Sequence, residues 1–208
     1  VLDASASMQT EENGETRFGG AIKEAKKALS GRNSIILAEN IPLIILEEED
    51  QEVALDILGS LKPKATTTNL GDAMLLARDI LGDKPGRIAV ISDFANVNAE
   101  DLLVVKTAIE TEERVVSFID VSNKAENTGI IGMEAKKHSI KAFVKNFDDK
   151  EKAVKLRLLQ EKEVLAESGS IKILPNSIES FIFDDTPTGI SRIEIEPKDN
   201  FAVDDAVY

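Results

Sequence analysis

The sequence has no cysteine and a single histidine, His138, and these absences exclude several kinds of site. Without cysteine there is no disulfide, no thiolate metal site and no cysteine nucleophile. One histidine excludes a zinc site built from several histidines, and any Ser-His-Asp triad would depend on His138 alone. The sequence also has no apolar run near the roughly 18 residues that a membrane span requires.

Positive charge is scarce. The chain of 208 residues holds 25 Lys and Arg against 38 Asp and Glu, a net charge of −13. Residues 1–126 alone carry 13 basic and 23 acidic residues. A protein with this excess of negative charge repels the phosphate backbone of a nucleic acid, so we expect no nucleic-acid partner. With 42% hydrophobic and 30% charged residues, the composition is that of a globular protein with one large domain or two small ones.

Only two apolar residues, Val1 and Leu2, precede Asp3, whereas strands usually run about five or six residues. We therefore expect a truncated first strand and a sequence that is a piece of a longer protein. The C-terminal end is expected to be incomplete in the same way.

Helical and strand patterns alternate through residues 1–122. The 3.6-residue apolar period predicts helices, and short apolar runs predict strands. The predicted helices cover residues 16–29, 51–61, 69–81 and 99–111, and the predicted strands cover residues 34–38, 41–46, 87–91 and 114–119. Only two residues separate the predicted strands at 34–38 and 41–46. This connection is too short for a parallel crossover, so the two strands should pair antiparallel. The pattern predicts an α/β domain, Rossmann-like, with a mostly parallel sheet flanked by helices.

Residues 128–208 show a different pattern, in which apolar residues alternate with polar ones at a period of two. Ile140, Ala142 and Val144 form one such run, and Ile193 and Ile195 belong to another. Short alternating strands separated by turn residues predict an all-β sandwich. The polar residues 123–127 are the predicted boundary between the two domains.

Five oxygen-bearing side chains follow predicted strands or open a predicted helix. Asp3, Ser5 and Ser7 come directly after the first strand, Thr68 precedes the helix at 69–81, and Asp93 follows the strand at 87–91. In open α/β sheets, ligands bind beyond the carboxyl ends of the strands. A set with oxygen atoms and no nitrogen or sulfur suits a hard divalent cation such as Mg²⁺.

The five residues, in this order, resemble the metal-ion-dependent adhesion site of von Willebrand factor type A domains. The family pattern is Asp-x-Ser-x-Ser, then a Thr, then an Asp after the next core strand. The resemblance implies that Ser5, Ser7 and Thr68 are direct or nearly direct ligands, and that Asp3 and Asp93 act partly through water. Thr66 or Thr67 could replace Thr68 if the loop is shifted.

The change to a β-rich second half is similar to Bat-type (aerotolerance-related) membrane-anchored proteins, which join a type A domain to an immunoglobulin-like sandwich. The resemblance implies a tethered domain on the extracytoplasmic face, with membrane contact only through segments outside this sequence. It also implies a cofactor, Mg²⁺ or Mn²⁺, with Ca²⁺ as a further option.

The resulting hypothesis is a non-enzymatic module that captures an Asp or Glu carboxylate of a partner protein through the bound cation. Because the first domain is strongly acidic, the partner should present this carboxylate on a neutral or basic surface. Two alternatives remain: a structural spacer with an empty metal site, and a metal-assisted hydrolase. Against the hydrolase, the sequence offers no evident general base and no glycine-rich phosphate loop.

Two acidic groups outside the motif need an interpretation. Residues 47–50 are interpreted as the acidic start of a helix, favoured by the helix dipole. Asp204 and Asp205 could bind calcium, but they are interpreted as acids in a turn, because the pattern of an EF-hand loop is absent.

Overall fold

The computed structural model describes residues 1–95, 97–122, 125–184, 187 and 189–208. The chain divides into two compact units, Val1–Lys124 and Ala125–Tyr208. Of the predicted boundary at 123–127, Asn123 and Lys124 lie outside the described residues. Within the described part of the chain, no helix has both the length and the apolar character that crossing a bilayer requires.

The first unit contains short strands, longer strands and helices in alternation. In chain order its strands are β1 (Leu2–Asp3), β2 (Glu11–Glu12), β3 (Glu15–Thr16), β4 (Arg32–Ala38), β5 (Leu43–Asp50), β6 (Gly86–Ser92) and β7 (Arg114–Asp120). Its α-helices are α1 (Arg17–Ala28), α2 (Gln51–Ser60), α3 (Leu70–Leu81) and α4 (Ala99–Ile109), and a 3₁₀ helix covers Ala6–Gln9.

Five of these strands form one mixed sheet in the order β5-β4-β1-β6-β7. β1 pairs in parallel with both β4 and β6, and β6 pairs in parallel with β7. Alternate side chains of β4 enter different cores: Ile35 packs in a cluster with residues of α1 and α2, and Ile36 packs in a cluster with residues of α3 and α4. The sheet therefore buries both faces, and its central strand, β1, is only two residues long.

Local sequence explains where two of the helices begin and end. The Thr16 side chain accepts a hydrogen bond from the Gly19 amide, which caps α1, and the Asn69 side chain accepts one from the Asp72 amide, which caps α3. These are the residue types that satisfy the free amides of a first turn. α3 ends at Gly82, whose φ of 60° is a conformation that glycine adopts without strain.

The predicted antiparallel pairing of neighbouring strands is confirmed, since β4 and β5 pair antiparallel. The interpretation of residues 47–50 as a helix start is wrong. These residues belong to β5, where Asp50 lies opposite Arg32 and accepts a hydrogen bond from it at 3.2 Å. Pairing with β4 extends β5 through these residues. The local sequence of four acidic residues does not reveal this pairing.

Antiparallel strands make up the second unit. They are β8 (Thr128–Lys136), β9 (Ser139–Asn146), β10 (Lys152–Gln160), β11 (Glu163–Glu167), β12 (Ile171–Ile173), β13 (Ile178–Phe183), β14 (Ser191–Glu196) and β15 (Ala206–Val207). One sheet has the order β13-β9-β8; the other has the order β11-β10-β14-β15, with β12 also pairing with β10. A single core that includes Val144, Leu156 and Ile195 receives side chains from both sheets.

The predicted fold class, a Rossmann-like α/β domain with a mostly parallel sheet followed by a β-sandwich, is wrong for this chain. Strand makes up 41% of the residues and helix 24%, and antiparallel sheets predominate. The first unit also contains a feature that was not predicted, the β2–β3 hairpin that precedes α1. Periodicity identified most single elements, but it carries no information on the direction or partner of a strand.

Candidate metal centre

Two acids of the predicted site lie side by side because their strands are neighbours. Asp3 ends β1, and Asp93 directly follows β6. The two strands are parallel, so their carboxyl ends meet at one edge of the sheet. Asp3 is fully buried and Asp93 is 6% exposed.

Asp3 is held by hydrogen bonds on both carboxylate oxygens. Its Oδ1 accepts from the Ser5 amide at 2.9 Å, and its Oδ2 accepts from the Ser92 hydroxyl at 2.5 Å. Burial raises the pKa of Asp3, the bonds from Ser92 and Ser5 oppose this rise, and the nearby Asp93 charge adds to it. The Asp3 carboxylate is thus fixed in place, but it forms no ion pair with any residue that the structure describes.

The two serines of the motif connect to Asp93. The hydroxyls of Ser5 and Ser7 lie 3.3 Å apart, and Ser7 donates to Asp93 Oδ1 at 3.1 Å. The same Oδ1 accepts from the Ala95 amide at 3.1 Å. Four of the five predicted residues (Asp3, Ser5, Ser7 and Asp93) are therefore joined in one hydrogen-bonded cluster, which we call the Ser–Asp cluster.

Thr68 is placed next to this cluster but bonds elsewhere. Its hydroxyl donates to the Ala38 carbonyl at 3.2 Å, and Ala38 is the register partner of Asp3 in the pairing of β4 with β1. Thr66 is anchored in the same loop, because its carbonyl accepts from the Ala6 amide at 2.8 Å. Among the described residues, the buried Thr66 hydroxyl oxygen has no hydrogen-bond partner.

The sequence prediction missed two residues of the site, Ser92 and Arg17. Ser92 could have been found, since it immediately precedes Asp93 at the end of the predicted strand. Arg17 is the first residue of α1, and its Nη1 donates to Asp93 Oδ2 at 2.7 Å. The ion pair is largely enclosed, with side-chain exposures of 14% for Arg17 and 0% for Asp93. Only the packing of α1 against the sheet reveals this partner.

The donor set fits a hard divalent cation. The Ser–Asp cluster offers carboxylate and hydroxyl oxygens, which are the ligands that Mg²⁺ and Mn²⁺ prefer. Asp3, Ser5, Ser7 and Asp93 would hold the ion, with Thr68 or Thr66 as the hydroxyl from the neighbouring loop. The Arg17 guanidinium already pairs with the Asp93 carboxylate. A cation must therefore either share Asp93 with the guanidinium or displace the guanidinium.

Comparison with known proteins corrects the family assignment. Residues 128–208 match a family model described as Domain of unknown function (DUF7407), and no von Willebrand factor type A domain is identified in the chain. No curated protein matches the chain. The resemblance to type A domains and to Bat-type proteins with an immunoglobulin-like sandwich is therefore not supported. The match lies within the second unit and spans less than half of the chain. The motif that suggested the resemblance contains few residues, and short patterns of common residue types also occur outside the family.

Proposed function

We propose that the first unit is a divalent-cation-dependent protein-binding module that takes up an Asp or Glu carboxylate from a partner. The proposal rests on the Ser–Asp cluster and not on a family assignment. The observation that carries it is the Ser7 hydroxyl, which lies between the Ser5 hydroxyl and Asp93 Oδ1 at 3.3 and 3.1 Å. This contact brings together ligand oxygens from two separate loops, which follow β1 and β6 at one edge of the sheet.

The balance of charge in the cluster supports a binding role. The serine and threonine hydroxyls are neutral, so two carboxylates provide all the negative charge of the donor set. When bound, Mg²⁺ or Mn²⁺ would balance these two negative charges and would offer an exchangeable position for an external carboxylate. The chain's own residues hold the donors in place: the Ser5 amide and the Ser92 hydroxyl fix Asp3, and the Ala95 amide fixes Asp93.

The enclosure of the acids also favours a defined ligand geometry. Asp3, Ser5 and Asp93 are buried, whereas Ser7 is partly exposed. The partly exposed side of the cluster is therefore where an external group can approach. The acidic character of residues 1–126 favours a partner whose carboxylate lies on a neutral or basic surface, because long-range repulsion opposes an acidic one.

Water-proton relaxation with Mn²⁺ tests this function on the intact chain. Mn²⁺ should bind with exchangeable water, and added acetate should lower the relaxation enhancement by replacing that water. Ser5→Ala and Asp93→Ala should each weaken Mn²⁺ binding by at least about tenfold, a loss of ~1.4 kcal/mol. Asp83→Ala is the matched control, because Asp83 is an exposed acid of the same unit.

Two results would contradict the proposal. Mn²⁺ affinity that is equal in wild type, Ser5→Ala and Asp93→Ala would place the ion elsewhere. Mn²⁺ binding that depends on these residues but does not respond to acetate would leave a metal site without the proposed capture of a carboxylate.

A further inference from the structure

Three carboxylates of the second unit converge near its C-terminal strand. Asp199, Asp204 and Asp205 lie between β14 and β15, and each offers a carboxylate oxygen within 4.8 Å of those of the other two. None of them belongs to the site described above. We call them the Asp199 cluster.

Asp205 is the feature that distinguishes this cluster from an ordinary group of surface acids. The residue is 2% exposed, and both of its carboxylate oxygens are buried without a hydrogen-bond partner among the described residues. Burial raises its pKa to about 6, and the Asp199 carboxylate adds to the rise. The Lys198 charge and the Asp199 amide, which lies outside hydrogen-bond geometry, oppose the rise. A buried carboxylate without donors is costly to folding unless another group neutralises it.

Asp204 also has a buried carboxylate oxygen, Oδ1, without a hydrogen-bond partner among the described residues. Its Oδ2 accepts from the Asn127 side-chain amide at 3.1 Å. Burial raises the pKa of Asp204 to about 6, and the charges of Asp199 and Asp205 contribute to the rise.

The surrounding backbone fixes the cluster in this arrangement. Asp199 accepts from the Thr128 amide at 2.6 Å and from the Phe201 amide at 2.8 Å, one bond to each oxygen. The Asp205 carbonyl accepts from the Ile195 amide at 2.9 Å. Asn127, which holds Asp204, also keeps a buried side-chain oxygen, Oδ1, without a partner in the described structure. The cluster thus offers several fixed oxygens that lack donors.

We propose that Asp199, Asp204 and Asp205 form a Ca²⁺ site, with the Asn127 side-chain oxygen as a neutral ligand. Ca²⁺ takes oxygen ligands at 2.3–2.6 Å, so two ligand oxygens on opposite sides of the ion lie ~4.6–5.2 Å apart. One oxygen from each carboxylate lies within 4.8 Å of the other two, so a single ion can reach all three. Mg²⁺ releases its water reluctantly and is usually bound through one or two carboxylates, so a group of three carboxylates favours Ca²⁺.

The site belongs to the second unit and does not depend on the function proposed for the first. Titration calorimetry with Ca²⁺ tests it, using the full chain after treatment with a chelator. The titrations are made in wild type and also in an Asp93→Ala background, which removes a ligand of the Ser–Asp cluster. In both backgrounds we expect a Ca²⁺-binding event that Asp205→Asn weakens by at least about tenfold.

Asp184→Asn is the matched control, since it makes the same chemical change at an exposed acid of the same unit. It should leave Ca²⁺ affinity unchanged. Absence of Ca²⁺ binding in wild type up to about 10 mM, beyond the weakest range of known protein modules, would overturn the proposal. Equal affinity in wild type and Asp205→Asn would overturn it as well.

A second measurement needs no variant and so does not depend on the folding of Asp205→Asn. In amide spectra of the wild-type chain, Ca²⁺ should cause its largest shifts at residues around the cluster, including Thr128, Phe201 and Asp205. The largest shifts at residues of the first unit would contradict the assignment to the Asp199 cluster.

Discussion

The Arg17 guanidinium donates to Asp93 Oδ2 at 2.7 Å, while Ser7 donates to Oδ1 of the same carboxylate at 3.1 Å. One acid of the candidate metal centre is thus neutralised from within the chain. A cation that binds the Ser–Asp cluster either adds to the positive charge of Arg17 or replaces it. The stability of the first unit with and without the cation should show which of the two occurs.

Arg17→Met should destabilise the first unit when divalent cations are removed with EDTA. The change leaves Asp93 buried without its counterion, and breaking an enclosed ion pair costs about 3 kcal/mol. Mg²⁺ or Mn²⁺ should then raise the thermal midpoint of the variant more than that of wild type, because the cation replaces the lost charge. Thermal unfolding with and without the metals measures both effects.

Lys23→Met on the same helix is the control for Arg17→Met. Lys23 makes an exposed ion pair with Glu15, and exposed pairs contribute little. If Mg²⁺ stabilises Arg17→Met less than wild type, the guanidinium supports cation binding instead of competing with it.

Thr68→Val tests which loop hydroxyl serves the Ser–Asp cluster. The change removes the bond to the Ala38 carbonyl, but that carbonyl still accepts from the Ala4 amide at 3.2 Å. Stability without metal should therefore fall by no more than about 1 kcal/mol. Mn²⁺ affinity, measured by calorimetry, should fall by at least about tenfold, or ~1.4 kcal/mol.

Thr67→Val is a neighbouring control, because Thr67 is exposed in the same loop and should leave Mn²⁺ affinity unchanged. Loss of affinity in Thr66→Val with none in Thr68→Val would assign the ligand to the buried Thr66 hydroxyl.

Asp205→Asn should have opposite effects on stability with and without Ca²⁺. Without the ion, the change removes a buried charge that has no hydrogen-bond donor in the described part of the chain. We expect a gain in stability of about 1 kcal/mol, or ~5 °C for a unit of this size. With Ca²⁺ at a hundredfold excess over Kd, wild type gains about 2.7 kcal/mol and should become the more stable protein. Thermal unfolding in EDTA and in Ca²⁺ measures the reversal, and an unchanged order in both buffers would contradict it.

Gly129→Ala should disturb the Asp199 cluster from the neighbouring strand β8. A Cβ at this position would lie 1.9 Å from Asp204 Oδ2 and 2.1 Å from Asp204 Cγ. Asp204 must then move away from Asn127, so Ca²⁺ affinity should fall, and stability should fall by about 1–3 kcal/mol. Calorimetry and thermal unfolding measure the two losses.

Gly132→Ala is the matched control on the same strand. Its Cβ would meet Phe143 Cδ2 at the ordinary distance of 3.8 Å, so both Ca²⁺ affinity and stability should change little. Equal losses in the two variants would indicate a general effect of substitution in β8 and not a contact with Asp204.

Local patterns predicted the helices well and the extent of β5 poorly. The helix predicted at residues 69–81 is observed at Leu70–Leu81, because its apolar period and its Asn69 cap are both local features. Residues 47–50 were assigned to a helix, yet they extend β5 through pairing with β4. The family resemblance failed for a related reason, since a motif of five residues says little about the rest of a chain.

The sequence by itself determined which residue types could form an oxygen-rich site and that Asp3, Ser5, Ser7 and Asp93 follow strand ends. These properties depend on residue order and on periods of 2 and 3.6 residues, which the chain carries locally. Only the tertiary structure decided that Arg17 neutralises Asp93, and that Asp205 is buried without a hydrogen-bond donor among the described residues. Pairing between distant segments and exclusion of water depend on how elements pack, and contacts between residues as far apart as Arg17 and Asp93 leave no periodic pattern in the sequence.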